Sequence, residues 1–284
     1  MSISFPLPSL EKENKTYTYT LPTLCSEIQS VSIIGTGNVA HWFVYTLKKA
    51  GIKIHQIYGR DAKRCQILAE SCGAEAINDL SKLKKNSDLY LFSIKDDSYE
   101  EVVSQIPFEL PLAALTSGTV SQRVLAPIAS RFGTIYPCQT LNCGMDFSEV
   151  EVPLCVEGGD GETEALLLQL AAQLSEKTLI LHEEERRQLH LAAVFACNFT
   201  NALYGVAFDL LKNAKIEPTV LLPLLQNSLK KLNTMTPEEA QTGPAVRGDK
   251  KVIEKHLSMI QDPQQRAIYE LLTEEIAQKS LKKA

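Results

Sequence analysis

The chain has almost no excess charge of either sign, a single tryptophan, and no cysteine pair at CxxC spacing. Each absence removes a class of protein. A formal net charge of −5 over 284 residues offers no basic field for nucleic acid or an anionic membrane surface, so a small-molecule partner is expected. Seven cysteines form an odd set scattered from Cys25 to Cys197, which argues against a disulfide framework and for reduced core thiols in a cytoplasmic protein. His41, His55, His182 and His256 stand at no ligand spacing to cysteines or carboxylates, so no metal is expected. The N-terminus lacks the apolar run of a secretory signal: Pro6, Pro8, Glu11, Lys12, Glu13 and Lys15 occupy that place. Residues 1–29 read as a tail, with a short strand at 17–20.

One long stretch lacks charge altogether. Between Gln188 and Phe208 only His190 can ionise near neutral pH, yet Asn198, Thr200, Asn201, Tyr204 and Gly205 interrupt the apolar run. That mixture reads as a helix buried in protein rather than a membrane span.

What is present is enough apolar material for a core, with 44% hydrophobic and 22% charged residues. Short apolar runs at 31–34, 54–58, 89–94 and 112–116 alternate with helical patterns at 38–50, 62–72, 99–106 and 123–131. This is the βαβ alternation of an α/β fold, a Rossmann-type doubly wound parallel sheet. Further strands are expected at 133–136, 153–157 and 179–182, with a helix at 163–175. From Glu183 onward the pattern is entirely helical, at 183–211, 218–232, 250–259 and 263–279. The organisation expected is therefore a nucleotide-binding domain over 30–182 and an all-α C-terminal domain over 183–284.

The segment Val31-Ser32-Ile33-Ile34-Gly35-Thr36-Gly37-Asn38-Val39-Ala40 places G-x-G-x-x-A directly after a strand and at the opening of a helix. In that context the motif predicts a dinucleotide site. Gly35 takes the tight turn, Gly37 lets backbone approach a pyrophosphate, and small Ala40 lets the helix pack close. The free amides at Asn38 and Val39 then face phosphate.

The second strand ends Tyr58-Gly59-Arg60, about twenty residues past the glycines, where an NAD site usually carries an acidic residue for the ribose hydroxyls. A guanidinium there suits a 2′-phosphate, so NADP is favoured over NAD. Asp61 can either cap the next helix or accept from the ribose. Lys63 and Arg64 can add to the phosphate site or form a solvated helix face.

Ligands of open α/β sheets sit beyond the carboxyl ends of the strands. Ser93 and Lys95, after the 89–94 strand, are expected beside the nicotinamide ribose. Ser117, in Thr116-Ser117-Gly118-Thr119, offers a hydroxyl for substrate or for closing its own turn. Tyr136-Pro137-Cys138-Gln139-Thr140 can form another wall. On the first helix after the sheet, His190, Val194, Cys197, Asn198, Asn201 and Gly205 share about 100° of arc at 100° per residue. His190 is the candidate proton donor, because imidazole changes charge near neutral pH. Asn198 and Asn201 are candidates to orient substrate. Arg247, in Gln241-Thr242-Gly243-Pro244-Ala245-Val246-Arg247-Gly248-Asp249, can face a substrate anion or sit in a plain connector whose Asp249 caps the next helix.

Taken together, IIGTGNVA, YGR, SIKDDSY, LTSGT, YPCQT, LHLAAVFACNFTN and TGPAVRGD resemble the bacterial family of Rossmann-like NADP oxidoreductases whose domain function is unassigned. That family is similar in architecture to the 6-phosphogluconate, β-hydroxyacid and pyrroline-5-carboxylate reductase enzymes. The resemblance implies a reductase or dehydrogenase with a helical domain that forms a homodimer, and supplies no substrate. The β-hydroxyacid enzymes carry a catalytic lysine with an asparagine four positions on. Here the comparable helix has His190 and Val194, so the lysine mechanism does not carry over. The expected function is an NADP-dependent reductase of a small carbonyl, imine or hydroxy acid; the competing expectation is a nucleotide-binding sensor without catalysis.

Overall fold

The computed structural model describes residues 27–281, so the proposed strand at 17–20 lies outside the described residues. Among the described residues, two compact units divide between Asn198 and Phe199. The sequence pattern changes earlier, at Glu183, but the first turns of the following helix are tied to the sheet and stay with it.

The sheet unit holds eight strands: β1 Ser30–Ile34, β2 Lys53–Tyr58, β3 Glu75–Ile77, β4 Leu89–Phe92, β5 Ala113–Leu115, β6 Phe132–Pro137, β7 Leu154–Gly158 and β8 Thr178–Ile180. Their order is β3-β2-β1-β4-β5-β6-β7-β8. Adjacent strands run parallel except β6 and β7, which are antiparallel. The chain order reverses between β1 and β4, and the glycine loop leaves β1 at that switch point. Helices α1 Asn38–Lys49, α2 Ala62–Cys72, α3 Tyr99–Ser104, α4 Gly161–Leu174 and α5 Glu183–Ala193 complete the unit.

Alternation along the strands fills two core layers. Ile33, Leu89, Leu91 and Ala114 join Trp42, Phe43, Leu47 and Leu68 on one face. Ile34, Tyr90, Phe92, Ala113 and Leu115 join Tyr99, Val102, Val103 and Leu125 on the other. A period of two in a strand buried on both faces reads as a continuous apolar run, as seen.

Two expectations need correction, and one strand was not expected. The helix expected at 123–131 is only a 3₁₀ turn, Gln122–Leu125, and although Ala126 keeps helical backbone, Pro127 lacks the amide a longer helix needs. Strand β3, of three residues, is too short to leave a periodic signal. The thiols are not all core groups: Cys65 and Cys155 are buried, Cys72 and Cys138 half-buried, Cys143 and Cys197 exposed. Cys25 lies outside the described residues.

The helical unit carries α6 Thr200–Asn213, α7 Leu222–Lys231, α8 Pro237–Ala240, α9 Pro244–Arg247, α10 Lys250–Met259 and α11 Pro263–Leu281. None of these helices contains a buried residue. The segment Glu183–Asn213 is long and apolar enough to cross a membrane by length and composition, and none of its apolar window is buried. The expectation of a helix buried in protein is therefore overturned within this chain: Leu191, Phe195 and Phe199 are all more than half exposed.

Candidate functional site

The glycine loop is built by two different constraints. Gly35 has φ +131°, and a Cβ placed on it would collide with the Ser93 carbonyl oxygen, so neighbouring backbone dictates glycine there. Gly37 has φ −80° and is the N-cap of α1, and a Cβ on it would meet nothing within 4 Å. The fold does not require a glycine at 37. The space beside it is open, and the first turn of α1 has no side-chain cap and no acidic residue. Unpaired amides at a helix start beside open space form an anion-binding surface.

At the end of β2, Asp61 is the N-cap of α2. Its Oδ1 accepts from the amides of Lys63 at 3.0 Å and Arg64 at 3.1 Å, and its Oδ2 lies 3.6 Å from Arg64 Nε. The capping alternative for Asp61 is thus the one realised. Arg60 is exposed and, with Arg64, lines the adjoining cleft.

That cleft, of about 1000 Å³, runs along the carboxyl ends of the strands. Gly35, Thr36, Gly37, Asn38 and Val39 form one part of its wall, with Arg60, Ser93 and Lys95 nearby, while Ser117, Tyr136, Cys138, His190 and Asn198 line the other. Its residues all belong to the sheet unit. Asn201 and Arg247 belong to the helical unit. Asn201 is exposed on α6, and Arg247 pairs with Asp249, Nη2 to Oδ2, at 2.7 Å. Asp249 occupies the N-cap position of α10 without a capping bond, because its carboxylate is turned to Arg247.

Ser117 is buried, and its hydroxyl oxygen accepts from the amides of Thr119 and Val120, each at 3.0 Å. It closes its own turn, and its proton is directed to Thr119 Oγ1 at 3.4 Å, whose own proton goes to Asp96. His190 Nδ1 lies 3.1 Å from the Tyr136 hydroxyl, with the two rings edge to face at 5.9 Å between centroids. Gly118 provides the seat: a Cβ there would lie 2.6 Å from His190 Nδ1. Burial pushes the Tyr136 phenol up, with Cys138 adding to the shift and Arg186 opposing it, so the hydroxyl keeps its proton throughout the ordinary pH range. Burial likewise raises the Cys138 thiol and pushes Cys155 up to about 12.

Beyond Ala193 the helix widens into a π turn, Val194–Phe199, before α6 begins. A constant 100° per residue therefore loses phase within the stripe, and π turns recur where a helix contributes to a site. Sequence reasoning placed Tyr136 only as a wall and passed over Arg186, whose charged surroundings in Glu183-Glu184-Glu185-Arg186-Arg187 resemble a solvated face.

Residues 30–115 match a domain family described as NADP oxidoreductase coenzyme F420-dependent, and residues 152–276 match a domain of unknown function. A solved structure from Bacteroides fragilis, provisionally described as an NADP oxidoreductase, is 34% identical, with 89% of this chain and 98% of that one covered and a TM-score of 0.84. The chain belongs to that protein's family. The motif-based resemblance to Rossmann-like NADP oxidoreductases is borne out by it. A Thermotoga maritima protein is 22% identical over 89% of this chain and 99% of its own, with a TM-score of 0.66. Pyrroline-5-carboxylate reductase from Streptococcus pyogenes is 16% identical over 88% of this chain and 97% of its own, with a TM-score of 0.62. These last two share the fold. No curated protein matches the chain.

Proposed function

We propose that the protein is an NADP-dependent oxidoreductase acting on a small carbonyl, imine or hydroxy acid in the cleft of the sheet unit. One observation carries this reading: the glycine loop and His190 line the same cavity, so a group able to hold a dinucleotide and a group able to move a proton face one space. A bound nicotinamide would supply the hydride. The open space at Gly37 and the uncapped start of α1 fit a pyrophosphate. Asp61 is engaged in capping and Arg60 is exposed, which supports a 2′-phosphate over free ribose hydroxyls.

On the protein's side, Tyr136 and Gly118 occupy the Nδ1 edge of His190. Its Nε2 is the atom left to give a proton to the substrate oxygen or nitrogen. Ser117 and Asn198, on the same wall, orient the substrate. The assembly is a homodimer, supported by helices α6–α11 that bury no residue within the chain.

The test is an NADPH and NADH titration followed by turnover on a panel of 2-keto, 3-hydroxy and imino acids. Saturable NADPH oxidation with one class supports the enzyme. Tight NADPH binding with no turnover on any class replaces it with a nucleotide sensor, and failure to bind either cofactor removes the reading.

A further inference from the structure

Arg186 is fully buried, an expensive place for a charge unless its partners are arranged around it. Its Nη1 donates to the carbonyls of Ser117 at 3.0 Å and Val120 at 3.2 Å, and its Nη2 donates to Glu157 Oε2 on β7 at 3.4 Å. The neighbouring residues of α5 act on the same loop. Arg187 Nε donates to the Thr119 carbonyl at 3.0 Å, and Ser121 Oγ donates to Glu183 Oε2 at 2.5 Å. Four of the five residues from 117 to 121 are thus bonded to the first turns of α5. The fifth is Gly118, and where its side chain would stand lies the ring of His190.

Arg186 and His190 are four residues apart on α5, one turn, and so share a face of the helix. We infer that Arg186 is the positioning residue of His190: by binding the Ser117 and Val120 carbonyls it fixes α5 against the loop, so that the imidazole rests on Gly118 with Nδ1 against Tyr136. Lysine cannot replace it, because an ammonium lacks the planar fork that reaches two carbonyls and a carboxylate together. Support of the fold alone does not account for a charge here, since well-packed apolar residues often replace buried ion pairs without loss of stability.

The kinetic consequence rests on the reading of His190 as proton donor; the placement of the ring does not. The experiment therefore reads both. Arg186→Lys and Arg186→Met are compared with the wild type, in the full chain, by NMR contacts between the His190 and Tyr136 rings, by NADPH affinity and by turnover. The expected result is loss of the ring contact in both variants and NADPH affinity within about twofold of the wild type. Turnover is expected to fall by roughly 10²-fold, the scale for a misplaced reacting group, with no added loss when Arg186→Lys is combined with His190→Gln. A ring contact that persists in both variants overturns the inference. So does a failure of both variants to fold, because Arg186 would then hold the fold rather than the ring. Loss of the contact with unchanged turnover upholds the positioning role and instead removes His190 as the proton donor.

Discussion

The Tyr136 hydroxyl, at the end of β6, lies 3.1 Å from His190 Nδ1 on α5, so two residues 54 positions apart in sequence fix the edge from which the imidazole can act. Because burial holds the phenol in its protonated form, Tyr136 can donate to Nδ1 of a neutral ring or accept from Nδ1–H of a charged one. In both states Nε2 is left to the cleft. His190→Gln is therefore expected to preserve folding and NADPH affinity while lowering turnover by about 10²–10⁴-fold, the range for a positioned acid. A His190→Gln variant with normal turnover would pass the role to Lys95 or a bound water.

Arg60 and Asp61 are adjacent but differently engaged, and cofactor choice should follow. Asp61 Oδ1 holds two amides of α2, whereas Arg60 is exposed at the cleft. Arg60→Ala should weaken NADPH binding by roughly 1.5–3 kcal/mol, the range for hydrogen bonds to a charged group, and leave NADH nearly unchanged. Isothermal titration with both cofactors decides it, and equal losses would take Arg60 off the 2′-phosphate.

Local features were the most legible in the sequence. The strand-to-helix glycine loop and the alternating βα elements depend on near neighbours, and β1, α1, β2 and α2 form where the pattern puts them. Strand direction is different, because a period of two has no polarity: the antiparallel pairing of β7 with β6 is a tertiary outcome. The π turn at Val194–Phe199 is likewise invisible to a helical wheel that assumes one pitch. The site was legible as a set of strand ends but not as a set of contacts. Nothing local announces that Gly118 seats His190, or that Arg186 reaches Ser117, 69 positions away.

The two motif glycines should fail in different ways. Gly35→Ala forces a side chain into left-handed backbone against the Ser93 carbonyl, at a conformational cost of roughly 1–3 kcal/mol before the clash is counted. Its unfolding midpoint in denaturant should drop. A Cβ on Gly37 meets nothing within 4 Å, so the midpoint of Gly37→Val should hold while both cofactors are lost from the pyrophosphate position. A Gly37→Val protein that still binds NADPH would remove that assignment.

Thiol reactivity should sort by burial. Alkylation requires the thiolate, and burial raises the Cys65, Cys138 and Cys155 thiols, the last to about 12. At pH 8 these three stay almost wholly protonated, whereas Cys143 and Cys197 are exposed. Iodoacetamide followed by peptide mass spectrometry should find Cys143 and Cys197 modified first, with Cys65 and Cys155 reacting only on unfolding. Early modification of Cys155 at pH 8 would contradict the packing of β7.

The helical unit poses the remaining physical problem. Leu222, Leu224, Leu229, Leu232, Met259, Leu271 and Leu272 are all more than 40% exposed, and none of α6–α11 buries a residue. Apolar area left in water forgoes about 25 cal/mol per Å², and a set of amphipathic helices in that state gains most by covering the same surface on another copy. The prediction is a dimer by sedimentation velocity at micromolar concentration without detergent. Leu224→Glu together with Leu271→Glu should shift it towards monomer, because each puts a charge on a strongly exposed apolar position that a dimer would cover. A wild-type monomer would contradict the proposal. A chain that sediments as a defined particle only with detergent or lipid would instead assign the exposed length of Glu183–Asn213 to a membrane.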